Sequence, residues 1–331
     1  MQSRNSLVRL AVLGLTAAVA LGMSAGCGHY SINSLKARKA YKDAIDAYKQ
    51  QEYSKAAQDY ETVLQLNPNP DADSGLTSTY FYLGNSYDNL YKATKKGDPT
   101  NDAYLQKAAD NYRLAAERST DVTLKKYAYE FLIALYGADK LNDFSQAEPY
   151  ARKLVELDPN DPANYQTLGK LYEDNKRLPE AEAAFKKAVE VKPSDPTVYQ
   201  MLAGYYNRTA QFVKTMEAFN ERAAHEPNNP DAYHTIATYY EDEVLKDRKL
   251  DHDPAKRREY IDKGLEADDK ALALNPNFFE AMVYKGILLI MKANTEPNAA
   301  KSAEYRKEGN EWTKRATDLQ KKQNSGGRGG I

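Results

Sequence analysis

Between residues 162 and 195 the apolar positions fall into two stripes. Tyr165, Leu168, Gly169 and Tyr172 stand three and four residues apart, and so do Ala181, Phe185 and Ala188, so each stripe predicts one buried face of an amphipathic helix. The polar stretch "EDNKRLPE" between them predicts a turn, and the pair reads as an antiparallel helix hairpin. This pattern is not solitary. The segments "ELDPNDPANY", "EVKPSDPTVY" and "AHEPNNPDAY" place prolines at 159, 193 and 227 and again at 162, 196 and 230, each step being thirty-four residues. In each segment Asp or Asn stands where a helix N-cap belongs and Pro takes the first helical position, where no intrahelical donor is lost.

The intervals across 162–195 resemble the tetratricopeptide repeat, with Tyr165, Leu168, Gly169, Tyr172, Ala181, Phe185, Ala188 and Pro193 in its large, small and proline slots. The next unit, 196–229, keeps Tyr199, Leu202, Ala203, Tyr206, Phe219 and Pro227, but Thr215 and Arg222 replace two alanines. Weaker copies are read over 37–70, 77–120 around the extra loop "KATKKGDPTNDA", 126–161, 230–276 around "KDRKLDHDPAKR", and 279–322. The resemblance implies an all-α fold, a superhelix of about six to seven stacked antiparallel hairpins with a concave inner surface. Residues 323–331, with their run of glycines, are expected to be a disordered tail.

One apolar run has a different character. Arg4 and Arg9 precede "LAVLGLTAAVALGM", which carries no charge and is shorter than the roughly 20 residues of a spanning helix. Ser24, Ala25 and Gly26 follow, and then Cys27. The sequence "SAGC" resembles the lipobox of bacterial lipoproteins, with Ser24 where such boxes usually have Leu. The resemblance implies a signal peptide over 1–26, a lipid on Cys27 as the new N-terminus, and a short tether over 27–36. Gly28 in place of Asp implies an outer-membrane destination, facing the periplasm. Cys27 is the only cysteine, so an intramolecular disulfide is excluded.

Composition narrows the chemistry. Lys plus Arg number 46 against 47 Asp plus Glu, so no nucleic-acid partner is expected. His29, His225, His234 and His252 show no metal-ligand spacing, and no metal or cofactor is expected beyond the covalent lipid. Neither a phosphate loop nor a nucleophile elbow is present, so no catalytic residue and no small-molecule substrate are assigned. "DADSG" at 71–75 departs from a calcium loop and reads as an interhelical connection. Lys246, Arg248, Lys249, Lys256, Arg257 and Arg258 are interspersed with Asp247, Asp251 and Asp253, a salt-laced solvated loop.

What remains is a scaffold that binds proteins or peptides. Tetratricopeptide proteins use the first helix of each hairpin, and the resemblance places Tyr41, Tyr48, Phe81, Asn85, Asn89, Tyr127, Gln166, Lys170, Gln200, Asn207, Arg208 and His234 on that inner surface. The Lys and Asn pairs of chaperone-type carboxylate clamps are not repeated. For Tyr41, Tyr48, Phe81 and Tyr127, packing within the hairpin core stands as the alternative. The expected function is partner binding by a membrane-anchored scaffold in a bacterial cell envelope. A cytoplasmic adaptor with an uncleaved N-terminus, an envelope enzyme and a solute-binding protein are the rivals.

Overall fold

The computed structural model describes residues 31–73 and 75–326. The expected signal peptide, the expected lipid attachment at Cys27 and residues 327–331 lie outside the described residues. Fourteen α-helices, and no strand among the described residues, form the fold. They run in order as α1 (Ile32–Lys49), α2 (Tyr53–Leu66), α3 (Thr79–Leu90), α4 (Pro99–Arg118), α5 (Val122–Leu135), α6 (Phe144–Leu157) and α7 (Pro162–Asp174). Next come α8 (Leu178–Val191), α9 (Pro196–Arg208), α10 (Phe212–His225), α11 (Pro230–Lys246), α12 (Pro254–Leu274), α13 (Phe279–Thr295) and α14 (Ala299–Gly326). Two edges differ from expectation: the stretch expected as tether is helical from Ile32, and α14 continues through Gly326 into the expected tail.

The helix starts follow the caps. Asp161, Asp195 and Asn229 accept the backbone N–H groups of Ala163, Thr197 and Asp231 at 3.0, 2.9 and 3.0 Å, each followed by Pro at the first helical position. Tight turns close several hairpins with one residue in the left-handed region: Gln51, Asn142, Lys176 and Ala210, with φ between 52° and 63°. The last three are one period apart.

The chain forms two compact units, 1–181 and 182–331, with the division inside α8. In the first, α1 to α7 pack each on the next. Its core is aromatic, built on Tyr60, Phe81 and Tyr112 with Leu124, Leu132 and Leu135. A Cβ on Gly84 would meet the Tyr112 ring at 3.0 Å, so a side chain there would push α3 off α4. The connection 136–143 folds back so that Lys140 forms an ion pair with Asp88 of α3, both side chains nearly dry at 6 and 7% exposure. In the loop 67–78, Asp73 pairs with Arg38 at 3.0 Å and Asp71 with Arg118 at 3.3 Å, so the carboxylates of "DADSG" bind α1 and α4.

In the second unit α9 to α14 likewise pack in succession, and α11 also touches α13. Phe185 is buried and stacks on Tyr205 at 5.0 Å. Thr215, in an alanine slot, is buried and returns its hydroxyl to the Gln211 carbonyl at 3.1 Å, which satisfies the polar atom. Trp312 of α14 carries two cations over its ring system, Lys285 and Arg315, each 4.3 Å from a ring centroid.

The tyrosines act as ties as well as filling. Tyr165, Tyr199 and Tyr233 donate their hydroxyls to the carbonyls of Pro159, Pro193 and Pro227, at 3.0, 2.9 and 3.4 Å. Tyr172 donates to Glu148 at 2.7 Å and Tyr206 to Glu182 at 3.0 Å. Glu182 also accepts from Lys186 and Lys214, and these bonds, Lys186 foremost, hold its carboxyl down at about 2.

Candidate functional site

The first helices of the hairpins supply the candidate surface, and the two units use them differently. In the first unit the aromatic positions are turned inward. Phe81 is 1% exposed, with ring centroids of Phe131, Tyr82 and Tyr112 at 5.4, 5.5 and 5.7 Å and of Tyr127 at 6.4 Å. Tyr48 is buried too, and donates its hydroxyl to Asn85 Oδ1 at 2.6 Å. Burial raises the Tyr48 phenol well above its ordinary range, so it stays a neutral donor.

Tyr48, Phe81 and Asn85 therefore belong to the core and not to an open recognition surface. The physical reason is that α5 brings Tyr127 and Phe131 against α3, so the positions that would line a groove are filled by the protein's own rings. Tyr41 is half-buried, its hydroxyl 2.5 Å from Ser78 Oγ and its ring edge against Tyr60. Asn89 is exposed and donates to both the carbonyl and the side-chain oxygen of Asn85 at 2.8 Å. It borders a shallow depression lined by Gln51, Tyr53, Gln58 and Lys92.

Further along the same unit the surface opens. Gln166 and Lys170 on α7 are exposed, with Lys170 bound to Asp174 at 2.6 Å, and Tyr127 is half-buried. Lys126 donates to Asp161 at 2.5 Å, next to Glu130, whose carboxyl is raised by burial.

In the second unit Gln200, Asn207 and Arg208 are exposed on α9. His234 of α11 is half-buried, its Nδ1 2.8 Å from Oδ1 of Asp268 on α12. The rings of Phe278 and Tyr284 stand edge-on to it at 5.0 and 5.1 Å. His234, Thr238, Glu241 and Leu245 follow one face of α11 at helical spacing, and Tyr284, Ile287 and Met291 follow one face of α13. The His234–Tyr284 contact brings the two faces together. Leu245 and Ile287 are exposed, and the others are half-buried, so this surface offers apolar area beside polar handles. The sequence reading named His234 on this surface and did not name Thr238, Glu241, Tyr284 or Ile287. The signal was there, since Thr238 and Glu241 continue from His234 in steps of four and three.

Asp268 has no exposed surface, and its Oδ2 meets no hydrogen-bond partner. Burial pushes its carboxyl up to about 6, against the opposing pull of His234 and Lys285, while Asp269 adds to the rise. The folded protein thus holds this proton more tightly than the unfolded chain. The resulting stability is full below about pH 4 and is lost as pH rises through about 6. Asp268→Asn keeps an oxygen for His234 and removes the titration. The variant should gain on the parent by on the order of 2–3 kcal/mol between pH 4 and pH 7. Parallel unfolding free energies across that range would refute this assignment.

Two of the basic residues around the second insertion have partners of different kinds, one within its own helix and one on the end of α13. Lys246 binds Asp242 at 2.5 Å, and Arg258 donates to the Thr295 carbonyl at 3.1 Å.

Periodic hairpins, proline-directed tyrosine ties and open first-helix surfaces define a helical-repeat scaffold. The tetratricopeptide repeat family model matches residues 140–205. Among solved structures, the C-terminal part of a tetratricopeptide repeat-containing protein from Cytophaga hutchinsonii aligns at 16% identity with a TM-score of 0.50, covering 84% of this chain and 98% of that one. A tetratricopeptide repeat protein from Parabacteroides merdae aligns at 14% identity and a TM-score of 0.43, over 87% of this chain and 98% of its own. YrrB, described as a tetratricopeptide repeat protein with an unusual peptide-binding site, aligns at 19% identity and 0.38, over 59% and 89%. No curated protein matches the sequence. The fold is that of tetratricopeptide repeat proteins.

Proposed function

We propose that this chain is a lipid-anchored scaffold of a bacterial cell envelope, probing the space beside its membrane for protein or peptide partners and catalysing nothing itself. Partner binding is supported by the joint surface of α11 and α13, where His234, Tyr284, Ile287 and Met291 offer apolar area that the fold leaves uncovered. Anchoring is supported by the coincidence of an export-type N-terminus with a single cysteine at its end. No described helix is long and apolar enough to cross a membrane. Stable attachment takes two membrane signals, which two acyl groups on one cysteine would supply. An outer-membrane location facing the periplasm is the destination the residue after Cys27 favours.

One experiment in intact cells tests both halves. A photo-crosslinking residue is placed at Ile287 or, as a control on α12, at Lys270, in chains with and without Cys27→Ser, and cells are fed an alkyne fatty acid. The expected result is a discrete adduct from position 287 and none from 270, with lipid label and membrane sedimentation that both depend on Cys27. Equal labelling of Cys27→Ser would remove the anchor, and adducts from 270 alone would remove this surface.

A further inference from the structure

The first helix carries two opposed faces. Ala37, Ala44, Ala47 and Tyr48 are buried on one of them. On the other, Ile32 and Leu35 are 72 and 56% exposed, three residues apart on the first turn. Lys36, Lys39 and Lys42 continue that face over the next two turns and are exposed. Arg38 is held away from it by its pair with Asp73 at 3.0 Å.

Single exposed apolar residues on a protein surface are ordinary. Here an apolar pair adjoins a basic stretch, and the acids of the same face, Asp43 and Asp46, begin only beyond Lys42. From Cys27 to Lys42 the chain contains Lys36, Arg38, Lys39 and Lys42 and no carboxylate, and the first acids of α1 are Asp43 and Asp46. At a rise of about 1.5 Å per residue, the apolar and basic part covers roughly 15 Å of helix before negative charge begins. Ile32 comes five positions after Cys27, a span of at most about 18 Å.

We propose that the first three turns of α1 lie on an anionic glycerophospholipid surface. Ile32 and Leu35 enter the boundary between headgroups and acyl chains, while Lys36, Lys39 and Lys42 meet the lipid phosphates. Asp43 and Asp46 keep the far end of the helix off the surface. The proposal rests on the lipid at Cys27, which brings this face to the bilayer. It adds that the first unit is oriented by its own helix and does not swing on a free leash.

The test uses the full lipidated protein, in which the Cys27 sulfur is consumed by the anchor, so that Leu35→Cys supplies the only free thiol for an environment-sensitive fluorophore. The labelled protein is mixed with vesicles of phosphatidylglycerol and phosphatidylethanolamine containing spin-labelled lipid, or with neutral phosphatidylcholine vesicles. The expected result is flotation with both, and quenching by the spin-labelled lipid only with the anionic ones. Lys36→Glu with Lys39→Glu should leave flotation intact and shift the docked population by at least about tenfold toward the undocked form. Flotation with an unquenched, water-exposed label overturns the docking while leaving the anchor standing. A shielded but unquenched label with doubled mass assigns the face to a second copy and also overturns it. Loss of flotation removes the anchor and the docking together.

Discussion

Lys140→Ala should cost the first unit about 3–5 kcal/mol, because it removes the cation paired with the Asp88 carboxylate in a place with almost no water. The ion pair joins the 136–143 connection to α3, and a pair this dry is repaid only while both charges are present. Replacing both partners by apolar residues of similar size, as in Lys140→Met with Asp88→Leu, should recover most of the loss. The measurement is hydrogen exchange at the amides of α3 and α5, read for the two single variants and the double. Single variants that lose less than about 1 kcal/mol would mean that the pair is solvated.

An effect of the same order is expected at the centre of the aromatic core. Phe81→Ala removes a ring held against those of Tyr82, Tyr112 and Phe131, and should cost about 3–5 kcal/mol. Adding Tyr48→Ala takes the hydroxyl that Asn85 accepts and should weaken the contact between α1 and α3 further. Because repeat arrays need not unfold all at once, the loss should appear as early melting of the N-terminal unit. Partner capture should decline only in step with folded protein. A double variant that melts like the parent yet binds nothing would return Tyr48 and Phe81 to the recognition surface.

The helices were legible wherever start signals and apolar spacing agreed. Asp161, Asp195 and Asn229 with their prolines mark helix starts in sequence and in structure alike, since the cap is a local bond that needs no tertiary context. The aromatic positions were harder. Register places residues 81, 166, 200 and 234 equivalently, yet Gln166 and Gln200 are exposed and Phe81 is sealed. What decides is a non-local event, the approach of Tyr127 and Phe131 from α5, which spacing within one hairpin does not encode. The Asp268 partner of His234 was hidden for the same reason, because it lies thirty-four residues away on another helix. The abundance of tyrosine over phenylalanine, 26 against 8, acquires a cause in the hydroxyl ties to proline carbonyls and to Glu148 and Glu182.

Trp312 is the only tryptophan, and the aromatic core of α1 to α5 contains tyrosine and phenylalanine alone. The two ends of the protein therefore speak in different optical channels. Indole emission, tuned by Lys285 and Arg315 at the ring, reports the last hairpin. Tyrosine near-ultraviolet dichroism is weighted toward the N-terminal unit, where the rings of Tyr48, Tyr60 and Tyr82 are locked against one another. The native sequence thus carries its own pair of dyes, and the order in which its ends come apart can be watched without attaching a label.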